Sequence, residues 1–373
     1  MEYRVLGKTG EKISALGFGC MRLPVIDGNM KQIDEPEAIR MIRYAVDHGV
    51  NYIDTAYVYH EGTAEGLVAK ALKDGYRKKI LLATKLPIWN VENRADMVRL
   101  LDEQLNNLET DCIDFYLVHA LNKQYWSKLL ELGLLEFLLD AKEKGKVKHL
   151  GFSFHDNYSL FKEIVDGFDW SFCQIQYNYL DEDFQAGRKG LEYAWGKGLG
   201  VVIMEPLKGG TLVKKLTPEA YDFISKASIQ RTPAELALKW VWDHPEVGIV
   251  LSGMSEMSQV EANVKYASES SKPLTAEETK VIQAIQQNYR DRIKINCTDC
   301  KYCMPCPSGV DIPQSFNYYN RAYMFDDIKG ALFWYNRISK ASNCSDCGKC
   351  EEHCPQNIPI RERLKDVKGL FED

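Results

Sequence analysis

Cysteine is the residue type whose spacing says most about chemistry in this chain. Eight cysteines form two runs near the C-terminus, at Cys297, Cys300, Cys303, Cys306, Cys344, Cys347, Cys350 and Cys354. The second run has the spacing C-x2-C-x2-C-x3-C-P, which wraps thiolates around a cubane iron–sulfur cluster. We therefore predict that residues 291–373 form an iron–sulfur module with two 4Fe-4S clusters.

The pairing of these cysteines with clusters can be inferred by analogy. In two-cluster ferredoxins the last cysteine of a run ligates the other cluster. Cys354 would then join the first three cysteines of the first run, and Cys306 would join the first three of the second. The first run departs from the pattern, because two residues rather than three separate Cys303 from Cys306.

Cysteines at this spacing can also bind zinc or form disulfides. Structural zinc is an alternative to the clusters, because four-cysteine zinc sites also use paired C-x2-C. Disulfides are less favoured, because no signal-like apolar segment opens the sequence and a reducing cytoplasm is expected.

A second set of reactive side chains stands where predicted strands end. Asp54 ends one strand and Tyr59 follows it, while Lys85 and His119 end the next two. Free tyrosine, with a pKa of about 10, is a poor acid near neutral pH unless a nearby ammonium stabilises its phenolate. Lys85 could supply that charge, Asp54 could hold it, and His119 could bond a carbonyl oxygen. The set predicts a carbonyl-reducing site.

The elements that must position these residues alternate regularly. Segments of helical period, such as 37–49, separate eight β-rich apolar runs, at 15–20, 52–55, 80–84, 113–118, 149–152, 172–176, 201–204 and 248–251. Eight strand–helix units predict an α/β fold, a (β/α)8 TIM barrel, with chemistry at the carboxyl ends of its strands. A hairpin over residues 3–13 is expected to cover the barrel bottom. We predict a barrel domain of residues 1–290 and a small, mainly helical ferredoxin-like domain of residues 291–373.

Between the two cysteine runs, aromatic residues recur along predicted helices. Aromatics at helical spacing usually form a core, and a partner-docking face is the alternative. The residues concerned are Phe316, Tyr318, Tyr319, Tyr323, Phe325, Phe333, Trp334 and Tyr335.

Composition limits the classes of partner that we expect. The chain has 373 residues with 45% hydrophobic residues, 27% charged residues and a formal net charge of −6. Its acidic balance and scattered basic residues argue against nucleic acid as a partner. No apolar run approaches the ~20 residues that span a bilayer, so no membrane partner is expected.

The motif Tyr-Ile-Asp54-Thr-Ala followed by Tyr59, with Lys85 and His119, resembles the aldo/keto reductase family. The resemblance covers residues 1 to about 290. It implies reduction of aldehydes and ketones with NADP or NAD, and these four residues as the catalytic tetrad. The whole chain resembles a bacterial branch with a C-terminal 4Fe-4S ferredoxin-type domain, which is mostly without an assigned substrate.

The resemblance also implies a nicotinamide site. Its residues are Ser153 and Gln174 at the carboxamide, Met204 where many members stack a tyrosine, Pro206 and Leu207 after it, and Gly253, Ser255, Gln259 and Asn263 in the adenosine segment. Some members place basic residues at the positions of Gly253 and Gln259. This chain has no charge at these two positions, and a phosphate left without charge-assisted hydrogen bonds weakens the preference for NADP. Lys208 and Lys265 are candidates to compensate.

Two functions fit these observations. The first is a nicotinamide-dependent reductase of a small carbonyl substrate, whose clusters are structural, regulatory or used to dock a redox protein partner. The alternative is an electron-transfer protein whose clusters pass electrons to a substrate or partner bound by the barrel. We identify no flavin site that would link hydride chemistry to single electrons.

Overall fold

The computed structural model describes residues 1–227, 229, 231–299 and 301–373. The chain folds into two compact units, one of residues 1–209 and 231–275 and one of residues 210–230 and 276–373. None of the described helices is long and apolar enough to cross a membrane. The predicted domain boundary between residues 290 and 291 stays a prediction.

The first unit is built around a closed parallel barrel. Its strands are β3 (Leu16–Gly19), β4 (Tyr52–Asp54), β5 (Leu81–Leu86), β6 (Ile113–Leu121), β7 (Val147–Phe154), β8 (Phe172–Gln176), β9 (Gly200–Met204) and β10 (Ile249–Gly253). Each strand pairs with the next in the chain, and β10 pairs with β3 to close the barrel. The structure confirms the predicted (β/α)8 fold.

A hairpin of β1 (Tyr3–Val5) and β2 (Lys12–Ser14) precedes the barrel. Leu6 follows β1 and is fully buried among residues of the barrel interior. A Cβ on Gly200 or Gly248, at the amino-terminal ends of β9 and β10, would lie 2.4 Å or 2.3 Å from Leu6 side-chain atoms. The hairpin therefore covers the barrel bottom as expected, and the opposite end is left for chemistry.

Helices separate the barrel strands. The α-helices of this unit are α1 (Glu35–Asp47), α2 (Ala64–Ala71), α3 (Arg94–Asn107), α4 (Lys123–Glu131), α5 (Leu134–Glu143), α6 (Tyr158–Gly167), α7 (Gly187–Gly196), α10 (Pro233–Trp242) and α11 (Met257–Ala267). Helix α1 shows how the sequence sets them. The Asp34 side chain caps it by accepting from the Glu37 N–H at 3.3 Å, and Met41, Ile42 and Val46 are buried on one face.

The second unit is mainly helical. It contains α8 (Thr211–Lys214), α9 (Pro218–Lys226), α12 (Ala276–Asp291), α13 (Ile312–Met324), α14 (Ile328–Tyr335), α15 (Lys349–Glu352) and α16 (Ile360–Phe371). Asp311 and Asp327 cap α13 and α14 at their amino ends.

The aromatic residues between the cysteine runs are not all buried. Phe316, Tyr319 and Tyr335 belong to the core of the second unit. Phe333 and Trp334 are 53% and 46% exposed, so the expectation that they are core residues is wrong. Helical spacing alone does not say which face is covered.

Candidate active site and cluster-binding segment

Asp54 and Lys85 form a buried ion pair at the carboxyl ends of β4 and β5. The Lys85 Nζ donates to both carboxylate oxygens of Asp54 at 2.8 Å and to the Thr55 carbonyl oxygen at 2.7 Å. The strand register places Asp54 beside Ala83, and a two-residue step puts Lys85 on the same side of β5 as Ala83. The parallel register thus brings the pair together.

Tyr59 follows β4 and faces the Lys85 ammonium. The Lys85 Nζ lies 4.9 Å from the centroid of the Tyr59 ring. The His119 ring, on β6, lies 6.2 Å from the Tyr59 ring, with their planes at 80°. The structure therefore brings together Asp54, Tyr59, Lys85 and His119.

The turn after Tyr59 is strained and anchored. His60 and Glu61 both adopt left-handed backbone angles, with φ of 51° and 54°, which are costly for residues other than glycine. The buried His60 ring accepts from the Leu23 N–H at 3.1 Å through Nε2, and its Nδ1 lies 2.9 Å from the Met30 carbonyl oxygen. These bonds fix the turn that presents Tyr59.

Burial and charge shift the pKa values at this site. Burial disfavours the charge of Lys85, but Asp54 and Tyr59 outweigh it and raise the pKa of Lys85. Burial raises the pKa of Tyr59, and the Lys85 charge opposes that rise without reversing it. Burial and Lys85 hold the pKa of His119 well below its usual value. Near neutral pH the site therefore holds a charged lysine, a protonated tyrosine and a neutral histidine.

Ser153, Gln174 and Met204 lie on the consecutive strands β7, β8 and β9. The Gln174 Nε2 donates to the Met204 Sδ at 3.5 Å, and the Ser153 Oγ accepts from the Ala120 N–H at 2.7 Å. The buried Gln174 Oε1 has no hydrogen-bond partner among the described residues. An unpaired buried amide oxygen is costly, by about 1–3 kcal/mol, so it fits a ligand that carries an N–H donor, such as a carboxamide.

The adenosine segment follows β10. The Asn263 Nδ2 donates to the Ser252 Oγ at 3.0 Å, and the Gln259 Oε1 accepts from the Ser255 N–H at 3.0 Å. Gly253 is exposed, and a Cβ there would lie 3.3 Å from the Arg22 Cγ. The aliphatic stem of Arg22 thus packs over Gly253, while its guanidinium lies 4.0 Å from a carboxylate oxygen of Glu205.

Two other parts of the predicted cofactor site lie near β9. Pro206 is buried and Leu207 is half-buried just after the strand. The Lys208 Nζ lies 2.7 Å from both carboxylate oxygens of Asp181, so its charge is already paired rather than available to compensate for Gly253. Lys265 is exposed on α11.

The cysteines of the second unit line two recesses. Cys297, Cys303 and Cys354 line one of them. The other is lined by Cys306, Cys344, Cys347 and Cys350. Cys300 lies outside the described residues. Cys303 and Cys306 therefore face different recesses. The two residues between them link one recess to the other, so the short spacing does not have to fit around a single recess.

The backbone between the cysteines is curled. Asp299, Lys301, Asp346 and Gly348 have φ angles of 54°, 63°, 57° and 77°, and each lies in a different C-x2-C segment. Left-handed residues of this kind turn backbone N–H groups toward a bound anion, as at many iron–sulfur sites. One such group, the Asp346 N–H, donates to the Cys344 Sγ at 3.4 Å. In the described part of the chain, no group of three or more His, Cys, Asp and Glu side chains is arranged to hold a single metal ion.

Comparison with known proteins agrees with both halves of this description. Residues 15–287 match the model of the aldo/keto reductase family. The chain belongs to the aldo/keto reductase family. Residues 296–358 match the 4Fe-4S dicluster domain, so this reductase carries an iron–sulfur domain at its C-terminus.

Relatives share the barrel of this aldo/keto reductase. Aldo-keto reductase YhdN of Bacillus subtilis is 28% identical over 331 residues, covering 77% of this chain and 94% of its own. L-galactose dehydrogenase of Arabidopsis thaliana is 28% identical over 72% of this chain and 89% of its own. The solved structure of aldo-keto reductase AKR11C1 from Bacillus halodurans, in its holo form, is 31% identical with a TM-score of 0.63, over 76% of this chain and 96% of its own. These similarities support an oxidoreductase.

The reductase site also contains residues that the sequence-based prediction did not include. The Trp89 ring lies 5.0 Å from the His119 ring and is 39% exposed. Its position shortly after Lys85 and the carboxyl end of β5 was a usable signal. No sequence signal identified His60, because its role depends on an unusual turn.

Proposed function

We propose that this aldo/keto reductase reduces an aldehyde or ketone by hydride transfer from NADPH or NADH, with Tyr59 as the general acid. The observation that carries the proposal is the buried Lys85 ammonium, held by Asp54 at 2.8 Å and placed 4.9 Å from the Tyr59 ring centroid. A carbonyl carbon that accepts a hydride leaves negative charge on its oxygen. Tyr59 and Lys85 offer the proton and the positive potential that this oxygen needs.

Each residue of the tetrad has a separate role in this reaction. The bound nicotinamide supplies the hydride. Neutral His119 donates a hydrogen bond to the carbonyl oxygen and orients it. The Tyr59 hydroxyl gives its proton to that oxygen as the alcohol forms, and Lys85 stabilises the remaining phenolate. Asp54 keeps Lys85 charged and in place.

Cofactor binding is assigned to residues on β7 to β10. The unpaired Gln174 Oε1 supports a carboxamide at this position, with Ser153 beside it and Met204 against the ring. Arg22 packs against Gly253 through its stem and pairs with Glu205 through its guanidinium, so its charge does not favour a phosphate on the adenosine half. We therefore propose either NADPH or NADH as the cofactor.

For the second unit we propose two 4Fe-4S clusters. One is held by Cys297, Cys300, Cys303 and Cys354, and the other by Cys306, Cys344, Cys347 and Cys350. The two cysteine-lined recesses and the curled backbone around them support this assignment. Because clusters move single electrons, a redox protein partner is proposed for this unit, and electron transfer is the second candidate function of the chain.

One set of variants separates the candidates. Anaerobically prepared protein should oxidise NADPH or NADH with a member of an aldehyde and ketone panel. Tyr59→Phe should abolish this activity and leave the visible cluster spectrum intact. Tyr57→Phe is the matched control, because the Tyr57 hydroxyl donates to Glu103 at 3.0 Å rather than facing Lys85. Activity that survives Tyr59→Phe but is lost in a folded Cys347→Ser variant would favour electron transfer.

A further inference from the structure

A second buried carboxylate lies behind β5. Glu65, on α2, is 1% exposed. Its Oε1 accepts from the Thr84 hydroxyl at 2.7 Å and the Gln104 Nε2 at 2.9 Å, and its Oε2 accepts from the Asn107 Nδ2 at 3.2 Å. The three donors favour the acceptor-only, ionised form of this carboxylate, against the effect of its burial.

This carboxylate lies on the other face of the strand that carries Lys85. Successive side chains of a strand point to opposite faces, so Thr84 points outward to Glu65 while Lys85 points inward to Asp54. The tetrad lysine is thus placed between two buried carboxylates that α2 and β4 contribute separately. Asp54 touches its ammonium, and Glu65 acts on the backbone behind it.

Gln104 joins Glu65 to the main chain of Lys85. The Gln104 Nε2 donates to the Lys85 carbonyl oxygen at 3.0 Å, and the Gln104 Oε1 accepts from the Tyr116 hydroxyl at 2.9 Å. Because the Tyr116 hydroxyl donates to the Gln104 Oε1, the Gln104 Nε2 is the end of the amide that faces the Lys85 carbonyl oxygen. The network therefore ties β5, β6, α2 and α3 together around one residue of the tetrad.

We propose that Glu65 is a positioning residue that holds the Lys85 segment through Thr84 and Gln104 and keeps a negative charge on the face of β5 opposite the Lys85 side chain. The inference rests on the proposed function, because it assigns Glu65 a part in the proton transfer from Tyr59. Loss of the Glu65 charge would favour the deprotonated forms of both Lys85 and Tyr59.

The electrostatic interaction between Glu65 and Lys85 affects the pKa of Glu65. Burial raises the pKa of Glu65, and its three hydrogen bonds and, least of all, the Lys85 charge oppose that rise without reversing it. The titratable groups packed around the side chains of Lys85 and Tyr59 are Cys20, Asp54 and His119, and Glu65 lies on the opposite face of β5, bonded to Thr84.

Glu65→Gln keeps the shape of the side chain and removes its charge. We expect kcat for carbonyl reduction to fall about tenfold, because a less firmly held Lys85 stabilises the transition state less, with an unchanged KM for the cofactor. The basic limb of the kcat/KM profile should move to lower pH, because protonated Tyr59 is lost earlier. Glu103→Gln is the matched control, since Glu103 pairs with Arg99 on the solvent side of α3, and it should move neither quantity.

A second readout does not depend on turnover. It is an NMR titration of protein with oxidised clusters and with lysine labelled at 13Cε, in which the Lys85→Met variant identifies the Lys85 signal. Lys85 should titrate at lower pH in Glu65→Gln than in the wild type. An unchanged Lys85 titration, or a loss of kcat with no shift of the basic limb, overturns the proposal. If the wild type reduces no carbonyl compound, the proposed function fails and the titration alone decides the role of Glu65.

A variant that keeps the charge covers the case in which Glu65→Gln does not fold. Thr84→Val removes one donor to Glu65. It should lower kcat while the Lys85 titration stays at its wild-type position. An unchanged kcat in Thr84→Val would show that Thr84 does not transmit support from Glu65 to the Lys85 segment, and would overturn the positioning role as proposed.

Discussion

The Lys85 Nζ lies 2.8 Å from both carboxylate oxygens of Asp54, with 1% and 3% of the two side chains exposed. A buried ion pair adds little net stability, because the cost of desolvating two charges offsets their attraction. The pair is therefore better explained by what it does to Tyr59 than by what it adds to the fold.

Removing one partner of this pair should cost both stability and activity. Lys85→Met leaves Asp54 charged and unpaired, and should lower the free energy of unfolding by about 3–5 kcal/mol. Combining it with Asp54→Asn should recover most of that loss, because no unpaired charge remains. Activity should stay at least about 10²-fold below the wild type in both variants. Urea unfolding followed by circular dichroism, with kcat from NADPH oxidation, measures the two effects, and a double variant that reduces carbonyls would contradict the assignment.

His60 should support Tyr59 through the shape of its turn. His60→Ala removes the acceptor of the Leu23 N–H and the group that bonds the Met30 carbonyl oxygen. Leaving these groups unpaired should cost about 1–3 kcal/mol and should lower kcat, because Tyr59 would no longer be held toward Lys85. His48→Ala is the control, since His48 is exposed and bonds the Tyr44 carbonyl oxygen of the helix that it ends. Equal kcat in the two variants would show that the turn holds without His60.

The stability of the reductase should fall as the pH decreases below the usual histidine pKa of about 6.5. Burial lowers the pKa of His60, and that of His119 lies well below its usual value. Between the folded and unfolded pKa values the unfolded chain binds more protons, so acid favours unfolding by up to about 1.4 kcal/mol per pH unit for each such group. Unfolding midpoints between about pH 7.5 and pH 5.5 measure this slope. His60→Ala should show a shallower slope than the wild type, and an identical slope would mean that His60 does not titrate in the unfolding transition.

The sequence predicted the barrel and the residues at its mouth for one physical reason. Parallel strands end on the same side of a barrel, so polar residues at the strand ends, such as Asp54, Lys85 and His119, had to lie near one another. The strand limits followed from apolar runs that the structure places in the barrel wall, although β6 continues to Leu121 with a register shift after Val118. Alternating apolar runs carry that information because every strand contributes to the same core.

The surroundings of the tetrad could not be read in this way. Glu65, Thr84, Gln104 and Tyr116 meet only after several elements have packed, and no local pattern joins them. The left-handed turn at His60 breaks the usual preference of its residue types. Periodicity showed that α14 is a helix, but it did not show that Phe333 and Trp334 face solvent, with the Arg337 guanidinium 3.6 Å from the Phe333 ring centroid.

The cysteine runs allow a direct test of which residues share a cluster. Cys297 and Cys354 line one recess, while Cys306 lines the other. Cys297→Ala and Cys354→Ala should each reduce bound iron by about half, because each removes one ligand from one of the two proposed four-iron clusters. Combining them should cause no further loss, whereas Cys297→Ala combined with Cys306→Ala should remove nearly all the iron. Iron and acid-labile sulfide analysis of anaerobic protein measures this, with Cys112→Ala as the control in the barrel unit. A complete loss of iron in the Cys297 and Cys354 double variant would contradict the crossed pairing, since it would place those two cysteines on different clusters.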